Sequence, residues 1–245
     1  MAQAESIYGN EVEKEIIKFL DNKRLIDLKN CKLKQLIFHV FGLDINENLT
    51  ISCKKYKKKS NSYKGNPKPD LQITLNKIKK NISIKSGKGC SLHEEPLITF
   101  LNFLENFPNS NKYLNIVETH LKKAINIRNT EVPFFFKMNK ANIIKRVLDG
   151  IYPGEEPVDF YYAILSIKDK KTEALSDIIR NGFFASKKEI ENFMNNNEPG
   201  GKGQSGTCDV GILRYQSYNR NKYPKPQFKW PNPYEDIKKI RSKND

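Results

Sequence analysis

An acidic and a basic residue stand at the two ends of what the sequence predicts to be a β-hairpin. Asp70 opens the strand-like segment 70–75 (DLQITL), and Lys85 closes the segment 81–85 (NISIK), fifteen residues later. A short turn at 76–80 joins the segments, so that the ends carrying Asp70 and Lys85 can converge. Hydrolysis of a phosphodiester bond needs a carboxylate that holds Mg²⁺ and an ammonium group that orients the attacking water or helps to deprotonate it. The pair therefore predicts such a site.

Residues 69–95 resemble the core motif of the PD-(D/E)XK nucleases, and most closely its form in type II restriction endonucleases. The resemblance rests on PD at 69–70, SIK at 83–85 and the continuation SGKGCSLHEE at 86–95, about a tenth of the chain. It implies an α/β fold in which a central mixed sheet is flanked by helices. It also implies Mg²⁺-dependent cleavage of double-stranded DNA, with Mn²⁺ as a substitute for Mg²⁺. Cutting both strands of a palindrome calls for two active sites, so a homodimer is expected.

One position departs from the family pattern. The family's second acid stands two residues before the lysine, where this chain has Ser83. Some restriction enzymes recruit a glutamate from the following helix instead, which makes Glu94 and Glu95 the candidate ligands. Ser91 and Glu94 match a helix capping box, whereas Pro96 suits the first position of a helix. A helix that begins at Pro96 favours Glu95 as the replacement acid, and the choice between the two stays open.

The resemblance implies a further acid from the N-terminal helix. Apolar residues recur at helical spacing in 10–22, which predicts an amphipathic helix. Glu13 lies about 55° from the centre of its apolar face and Glu15 about 105° away, with Glu11 further still. Glu13 is therefore the candidate that points inward, although a solvated glutamate is the simpler interpretation.

Net charge and the elements predicted along the chain fit one basic nuclease domain. The chain has 43 Lys and Arg against 28 Asp and Glu, a formal charge of +15 that favours a polyanionic partner. We predict a single domain over residues 1–245, with the catalytic core at about 1–105 and a helical, DNA-recognition region at about 106–245. Further predicted helices are 32–41, one from Pro96, 111–127, 139–149, 171–180 and 186–194. Further predicted strands are 49–53 and 158–167, and 208–219 is a strand or hairpin arm.

The sequence also indicates the cellular location of the protein. No apolar run is long enough for a transmembrane helix, so no membrane partner is expected. The N-terminal residues lack the basic and apolar regions of a secretory signal. The four cysteines form no CxxC pair, so that reduced thiols and a cytoplasmic location are expected.

Two basic segments are candidate DNA contacts. Residues 54–69 form a lysine-rich loop with interleaved tyrosines, which suits a phosphate-gripping arm but equally a solvated turn. Residues 214–220 (RYQSYNR) are the candidate base-reading segment, because Arg pairs bidentately with guanine and Gln or Asn with adenine. The predicted DNA contacts are Lys54, Lys55, Lys57, Lys58, Lys59, Ser86, Lys88, His93, Arg214, Gln216, Asn219 and Arg220.

Each candidate also has a structural interpretation. Asp70 could begin a turn, Lys85 could be an edge-strand charge and His93 could be a hydrogen-bonding structural residue. At the level of function, a sequence-specific type II endonuclease competes with a structure-selective repair or junction nuclease. It also competes with a degenerate core that binds nucleic acid without cutting, since Ser83 leaves the site one carboxylate short.

Overall fold

The computed structural model describes residues 2–42, 46–57, 69–123, 125–150, 157–165, 174–198, 206–218 and 225–243. Its helices are α1 (Ala2–Leu20), α2 (Lys32–Phe41), α3 (Leu97–Leu104), α4 (Asn111–Lys123), α5 (Val132–Met138), α6 (Lys140–Asp149), α7 (Leu175–Arg180), α8 (Lys187–Asn196) and α9 (Pro233–Arg241). Its strands are β1 (Ser52–Lys55), β2 (Leu71–Leu75), β3 (Ile78–Ser86), β4 (Cys90–Glu94), β5 (Phe160–Ile164), β6 (Phe183–Ser186), β7 (Thr207–Val210), β8 (Leu213–Tyr218) and β9 (Lys225–Trp230).

Contacts divide the chain into two units that are each built from separated segments. The first unit comprises Met1–Lys88, Tyr152–Glu189 and Asn232–Asp245, and the second comprises Gly89–Ile151 and Ile190–Pro231. The predicted catalytic core at 1–105 thus overlaps both units. Among the described helices, none is long and apolar enough to cross a membrane.

The first unit contains a five-stranded mixed sheet in the order β1-β2-β3-β5-β6. Only the β3–β5 pair is parallel, while β1–β2, β2–β3 and β5–β6 are antiparallel. Apolar residues of α1, α2 and α7 pack with alternate strand residues in one core, and α9 packs against β3, β5 and β6. The predicted fold class, a mixed sheet flanked by helices, is confirmed.

The β2–β3 hairpin is tighter than the sequence predicts. Asn76 and Lys77 form its turn with φ values of +46° and +67°, and Leu75 pairs directly with Ile78. Two successive residues with positive φ are typical of the type I′ turn, whose twist matches that of antiparallel strands. Strand β3 therefore begins at Ile78 rather than at residue 81, which lengthens the segment that leads to Lys85.

The second unit contains a four-stranded antiparallel sheet in the order β4-β9-β8-β7. Rings from one sheet face pack with rings from the helices. Tyr215 lies 5.0 Å from Phe136 and 6.0 Å from Phe100, and Phe228 lies 5.7 Å from Phe100 (centroid distances). Trp230 on β9 is completely buried. Side chains that alternate with these residues form the opposite face of the sheet.

The structure decides between the two helix starts considered around residues 91–96. The capping-box alternative at 91–94 is wrong, because Cys90–Glu94 is a strand that pairs with β9. Strand β9 was not anticipated, because Pro226 argues against a central strand; its missing N–H is tolerated near the strand start. The helix expected near Pro96 is confirmed, since Pro96 is the N-cap of α3.

Candidate active site

Asp70 is fixed at the start of β2 by both neighbouring strands. Its carboxylate Oδ2 accepts hydrogen bonds from the Ser83 hydroxyl at 3.0 Å and from the backbone N–H of Ile84 at 2.6 Å. Its own N–H donates to the Ile82 carbonyl at 2.9 Å, and its carbonyl accepts from the N–H of Tyr56 at 2.9 Å. Hydrogen bonds to an ionised carboxylate are among the stronger ones in proteins. The carboxylate therefore has one preferred orientation in the sheet.

Lys85 lies on the same face of the sheet as Asp70 and Ser83. Leu71 pairs with Ile82, so the next position along places Asp70 opposite Ser83, in agreement with their hydrogen bond. Lys85 is two residues beyond Ser83 on β3, and residues two apart in a strand share a face. Diagonal neighbours of this kind have Cβ atoms about 7–8 Å apart, within reach of a lysine side chain. The half-buried Lys85 and Asp70 thus border a common space.

Glu13 is the most inward of the three glutamates in α1, as predicted. Its side chain is 15% exposed, compared with 36% for Glu15, and Glu11 is exposed. Its carboxylate binds Lys55 of β1 at 2.7 Å, and the Lys55 ammonium also donates to the Asn10 side chain at 3.1 Å. A predicted catalytic acid and a predicted DNA contact are therefore partners of each other. Their roles in catalysis and DNA binding stay predictions.

Glu95 is held by a buried charge cluster in the second unit. Its residue surface is 1% exposed, with Oε1 at 3.0 Å from His93 Nε2 and Oε2 at 2.8 Å from Arg146 of α6. The Arg146 guanidinium also lies over the Phe103 ring at 4.8 Å. Burial alone would raise the pKa of Glu95, but the hydrogen bonds from His93 and Arg146 outweigh it and lower that pKa. The carboxylate is thus ionised, and both of its oxygens have partners.

Glu94 and His93 are also engaged within the second unit. The Gln227 amide donates to Glu94 Oε1, and the Ser91 hydroxyl donates to the same oxygen at 3.3 Å. His93 is 5% exposed and bound to Glu95, which is the structural role considered for it from the sequence. As a metal ligand, Glu95 would have to share its oxygens with Arg146 and His93, whereas Glu94 would share only with neutral groups.

Apart from Lys55 and His93, the predicted DNA contacts fall into four groups. Lys54, Lys57 and Lys88 are exposed, as phosphate contacts require. Ser86 ends β3 in a half-buried position. Arg214 and Gln216 are neighbours on one face of β8, and Arg214 Nε donates to Asp209 at 3.3 Å. Lys58, Lys59, Asn219 and Arg220 lie outside the described residues.

The oxygen atoms around Asp70 fit a magnesium ion whose remaining ligands come from substrate and water. In the part of the chain that the structure describes, no three His, Cys, Asp or Glu side chains cluster as a ready metal site. Magnesium, however, is often bound by one or two carboxylates together with substrate phosphates and several waters. The hydrogen bonds that Asp70 accepts from described side chains and backbone both reach Oδ2, which leaves Oδ1 for a cation.

Two partners at these sites were missed from the sequence. Arg146 occurs in a helix whose amphipathic pattern was clear, but its contact with Glu95 spans 51 residues. Gln227 was missed together with β9. Neither residue carries a local signal, because each acts through a tertiary contact.

No family model matches the chain, and no curated protein matches it. Among solved structures, it is similar to the restriction endonuclease MspI, which was crystallised in complex with its cognate DNA. The match covers 80% of this chain and 76% of that chain, with a TM-score of 0.54 and 12% sequence identity. At this identity the likeness establishes a restriction-endonuclease-like fold and nothing further.

Proposed function

We propose that the protein is a Mg²⁺-dependent endonuclease that cleaves double-stranded DNA at specific sequences, as type II restriction enzymes do. The observation that carries the proposal is the placement of Asp70, Ser83 and Lys85 on one face of the sheet, in a fold similar to that of MspI. The net charge of +15 is consistent with a phosphate-rich substrate. The proposal extends to a homodimer that acts in the cytoplasm.

Each residue of the group has a distinct role in the proposed reaction. Asp70 would hold the cation through the oxygen that accepts no hydrogen bond from the described residues, while Ser83 and the Ile84 N–H fix the other oxygen. The bound cation would polarise the scissile phosphate and stabilise the leaving oxygen. The Lys85 ammonium would orient the attacking water and offset charge that develops on the phosphate. Glu13 and either Glu94 or Glu95 remain proposed contributors.

The decisive experiment is cleavage of a long duplex of known sequence in Mg²⁺ and in EDTA. Discrete fragments that form only with Mg²⁺ support the proposal, and the fragment ends give the site. Asp70→Asn and Lys85→Ala should each reduce the rate at least 100-fold, because each removes a charge needed in the transition state. Cutting confined to branched DNA would favour a junction nuclease instead.

The chain provides matched controls for both variants. Asp159 also accepts a hydrogen bond from a β3 backbone N–H, that of Asn81 at 2.8 Å, so Asp159→Asn mimics the structural loss in Asp70→Asn. Lys79 lies on β3 and shares the face of Lys85, six residues away, about 20 Å along the strand. Lys79→Ala therefore controls for lost positive charge. Wild-type rates in Asp70→Asn or Lys85→Ala would refute the proposed site.

A second candidate, a protein that binds DNA without cutting it, is favoured by Ser83. A hydroxyl stands where the resemblance implies an acid, and it is already a donor to Asp70. That protein would retard duplex DNA on a gel but leave it intact in Mg²⁺ and in Mn²⁺. The same cleavage experiment therefore separates the two candidates.

A further inference from the structure

One face of the second sheet is composed of polar side chains from adjacent strands. Strand register places Arg214 opposite Lys229, Gln216 opposite Gln227, Ser91 opposite Lys229 and Glu94 opposite Gln227. We call these six residues the polar face. Their alternating neighbours, including Tyr215 and Phe228, point to the helices on the other side. A sheet that buries one face in this way presents the other to a polar environment.

A chain of hydrogen bonds orients the amides at the centre of the polar face. An ionised glutamate can act only as a hydrogen-bond acceptor. The Gln227 amide N–H donates to Glu94. This contact directs the Gln227 carbonyl the opposite way, where it accepts from the Gln216 amide at 2.7 Å. Gln227 is 3% exposed, so that it acts as a buried support. The orientation of Gln216 is therefore set by Gln227 and, through it, by Glu94.

Among the described residues, Gln216 has one acceptor and one donor without a partner. Its contact with Gln227 is the hydrogen bond that it forms among the described residues, and this bond uses one of its two amide N–H groups. The remaining N–H and the carbonyl oxygen form the pair that reads adenine through N7 and the N6 amino group. A half-buried amide held in one orientation is suited to this task because little side-chain entropy is lost on binding.

Arg214 is held in a similar way, two residues along the same strand. Its Nε donates to Asp209 at 3.3 Å, and within the described ranges the terminal guanidinium nitrogens have no partner and are left for a ligand. Guanine offers O6 and N7 to such a pair of donors. Residues two apart in a strand are separated by about 7 Å, close to two base-pair steps of roughly 3.4 Å each. The spacing therefore allows Gln216 and Arg214 to contact different base pairs.

The hydrogen-bonding groups of the polar face favour DNA as its occupant. Its acid Glu94 is engaged by Gln227, and the nearby acid Asp209 is engaged by Arg214. Lys229, which pairs with Arg214 across the sheet, forms no ion pair with an acid in the described ranges. The face thus combines a lysine that has no acidic partner among the described residues with oriented amide and guanidinium groups, whose donors and acceptors match those of base edges.

We infer that the polar face reads base pairs of duplex DNA, with Gln216 and Arg214 as specificity-determining residues and Gln227 as the residue that positions Gln216. This inference rests on the proposed function and assigns sequence recognition to a defined surface. Antiparallel strands are known to read DNA in a groove, where base edges supply specificity and phosphates supply affinity.

The test is selection of bound sequences from a pool of randomised duplex DNA, in EDTA and in Ca²⁺, with no cleavage step. The wild type should enrich one sequence that contains an A·T pair. Gln216→Ala should lower the preference for that pair by roughly 5- to 150-fold. Gln216→Glu should shift the preference to C·G, because a carboxylate accepts from the cytosine amino group. Arg214→Lys should weaken a guanine preference at another base pair.

A second amide pair supplies the control. Gln72 donates to Asn81 at 3.1 Å in the first unit, and Gln72→Ala should keep the wild-type sequence preference. Trp230 fluorescence reports whether each variant retains the folded second unit. An unchanged preference in folded Gln216→Ala would overturn the inference and leave the nuclease proposal intact. Mg²⁺-dependent cutting without any enriched sequence would likewise overturn it, and absence of duplex binding by the wild type would overturn both proposals.

Discussion

Replacement of Glu95 by glutamine tests whether the buried charge cluster is structural or catalytic. Glu95→Gln keeps the shape and some hydrogen bonds but removes the charge that faces Arg146 at 2.8 Å and His93 at 3.0 Å. Breaking a buried ion pair by removing one partner costs about 3–5 kcal/mol. Because the Arg146 side chain is 21% exposed and the amide can still accept one hydrogen bond, we expect the lower end, about 3 kcal/mol.

The loss can be measured in the unit that contains the cluster. Trp230 is the only tryptophan of the chain and is fully buried in β9, so its fluorescence during urea unfolding follows the second unit. A loss of about 3 kcal/mol corresponds to a fall in melting temperature of roughly 6–12 °C for a chain of this size. Glu94→Gln is the matched control, because Glu94 contacts neutral partners. We expect it to cost less than about 1 kcal/mol.

The pH dependence of the unfolding free energy provides an independent check that the Glu95 charge stabilises the folded protein. The folded-state pKa of Glu95 is lowered from its ordinary value of 4.5. The stabilisation from its charge is therefore fully present above the unfolded pKa and is lost as pH falls through the lowered, folded pKa. The stability difference between wild type and Glu95→Gln should be constant near neutral pH and shrink below about pH 4.5. An equal stability of the two proteins at pH 7, with cleavage abolished in Glu95→Gln, would refute the structural role and favour Glu95 as the metal ligand.

Four further outcomes follow from other parts of the molecule. Gly182→Ala should destabilise the first unit by about 1–3 kcal/mol in thermal unfolding, because the new Cβ would lie 2.5 Å from the Tyr162 ring. Burial raises the pKa of the Cys53 thiol to about 12, so this thiol should resist alkylation at pH 8 until the protein unfolds. Ser83→Asp should lower the melting temperature in EDTA and restore it with Mg²⁺, since it places a second carboxylate beside Asp70. Duplex affinity, measured by anisotropy, should fall about 10³- to 10⁵-fold between 50 and 200 mM salt if six to ten phosphates are contacted.

The part of the site that could be predicted from the sequence is local. Asp70 and Ser83 lie on the two strands of one hairpin. In a hairpin, the alternation of side chains along each strand decides which residues share a face of the sheet. The apolar face of α1 was likewise predictable, because helical periodicity placed Glu13 nearest the core. These inferences needed no knowledge of the rest of the chain.

The remainder depends on contacts between distant segments. Glu95 and Arg146 are 51 residues apart, and Gln227 meets Glu94 across 133 residues. Strand β9 also contains Pro226, a residue that argues against a strand when the sequence is considered alone. Tertiary pairing overrode that local preference, because the residues on either side of the proline complete the β8 and β4 ladders.

The two adjacent glutamates illustrate why sequence could not choose between them as ligands. Glu94 is the last residue of β4 and lies on the polar face with Gln227, whereas Glu95 follows the strand and turns toward Arg146. One therefore belongs to a neutral amide network and the other to a buried ion pair. A cation competes more easily with neutral donors than with a guanidinium, since displacing the latter leaves a partly buried charge unpaired. We therefore expect Glu94 to be the less costly ligand on energetic grounds, and the choice between the two glutamates stays a prediction.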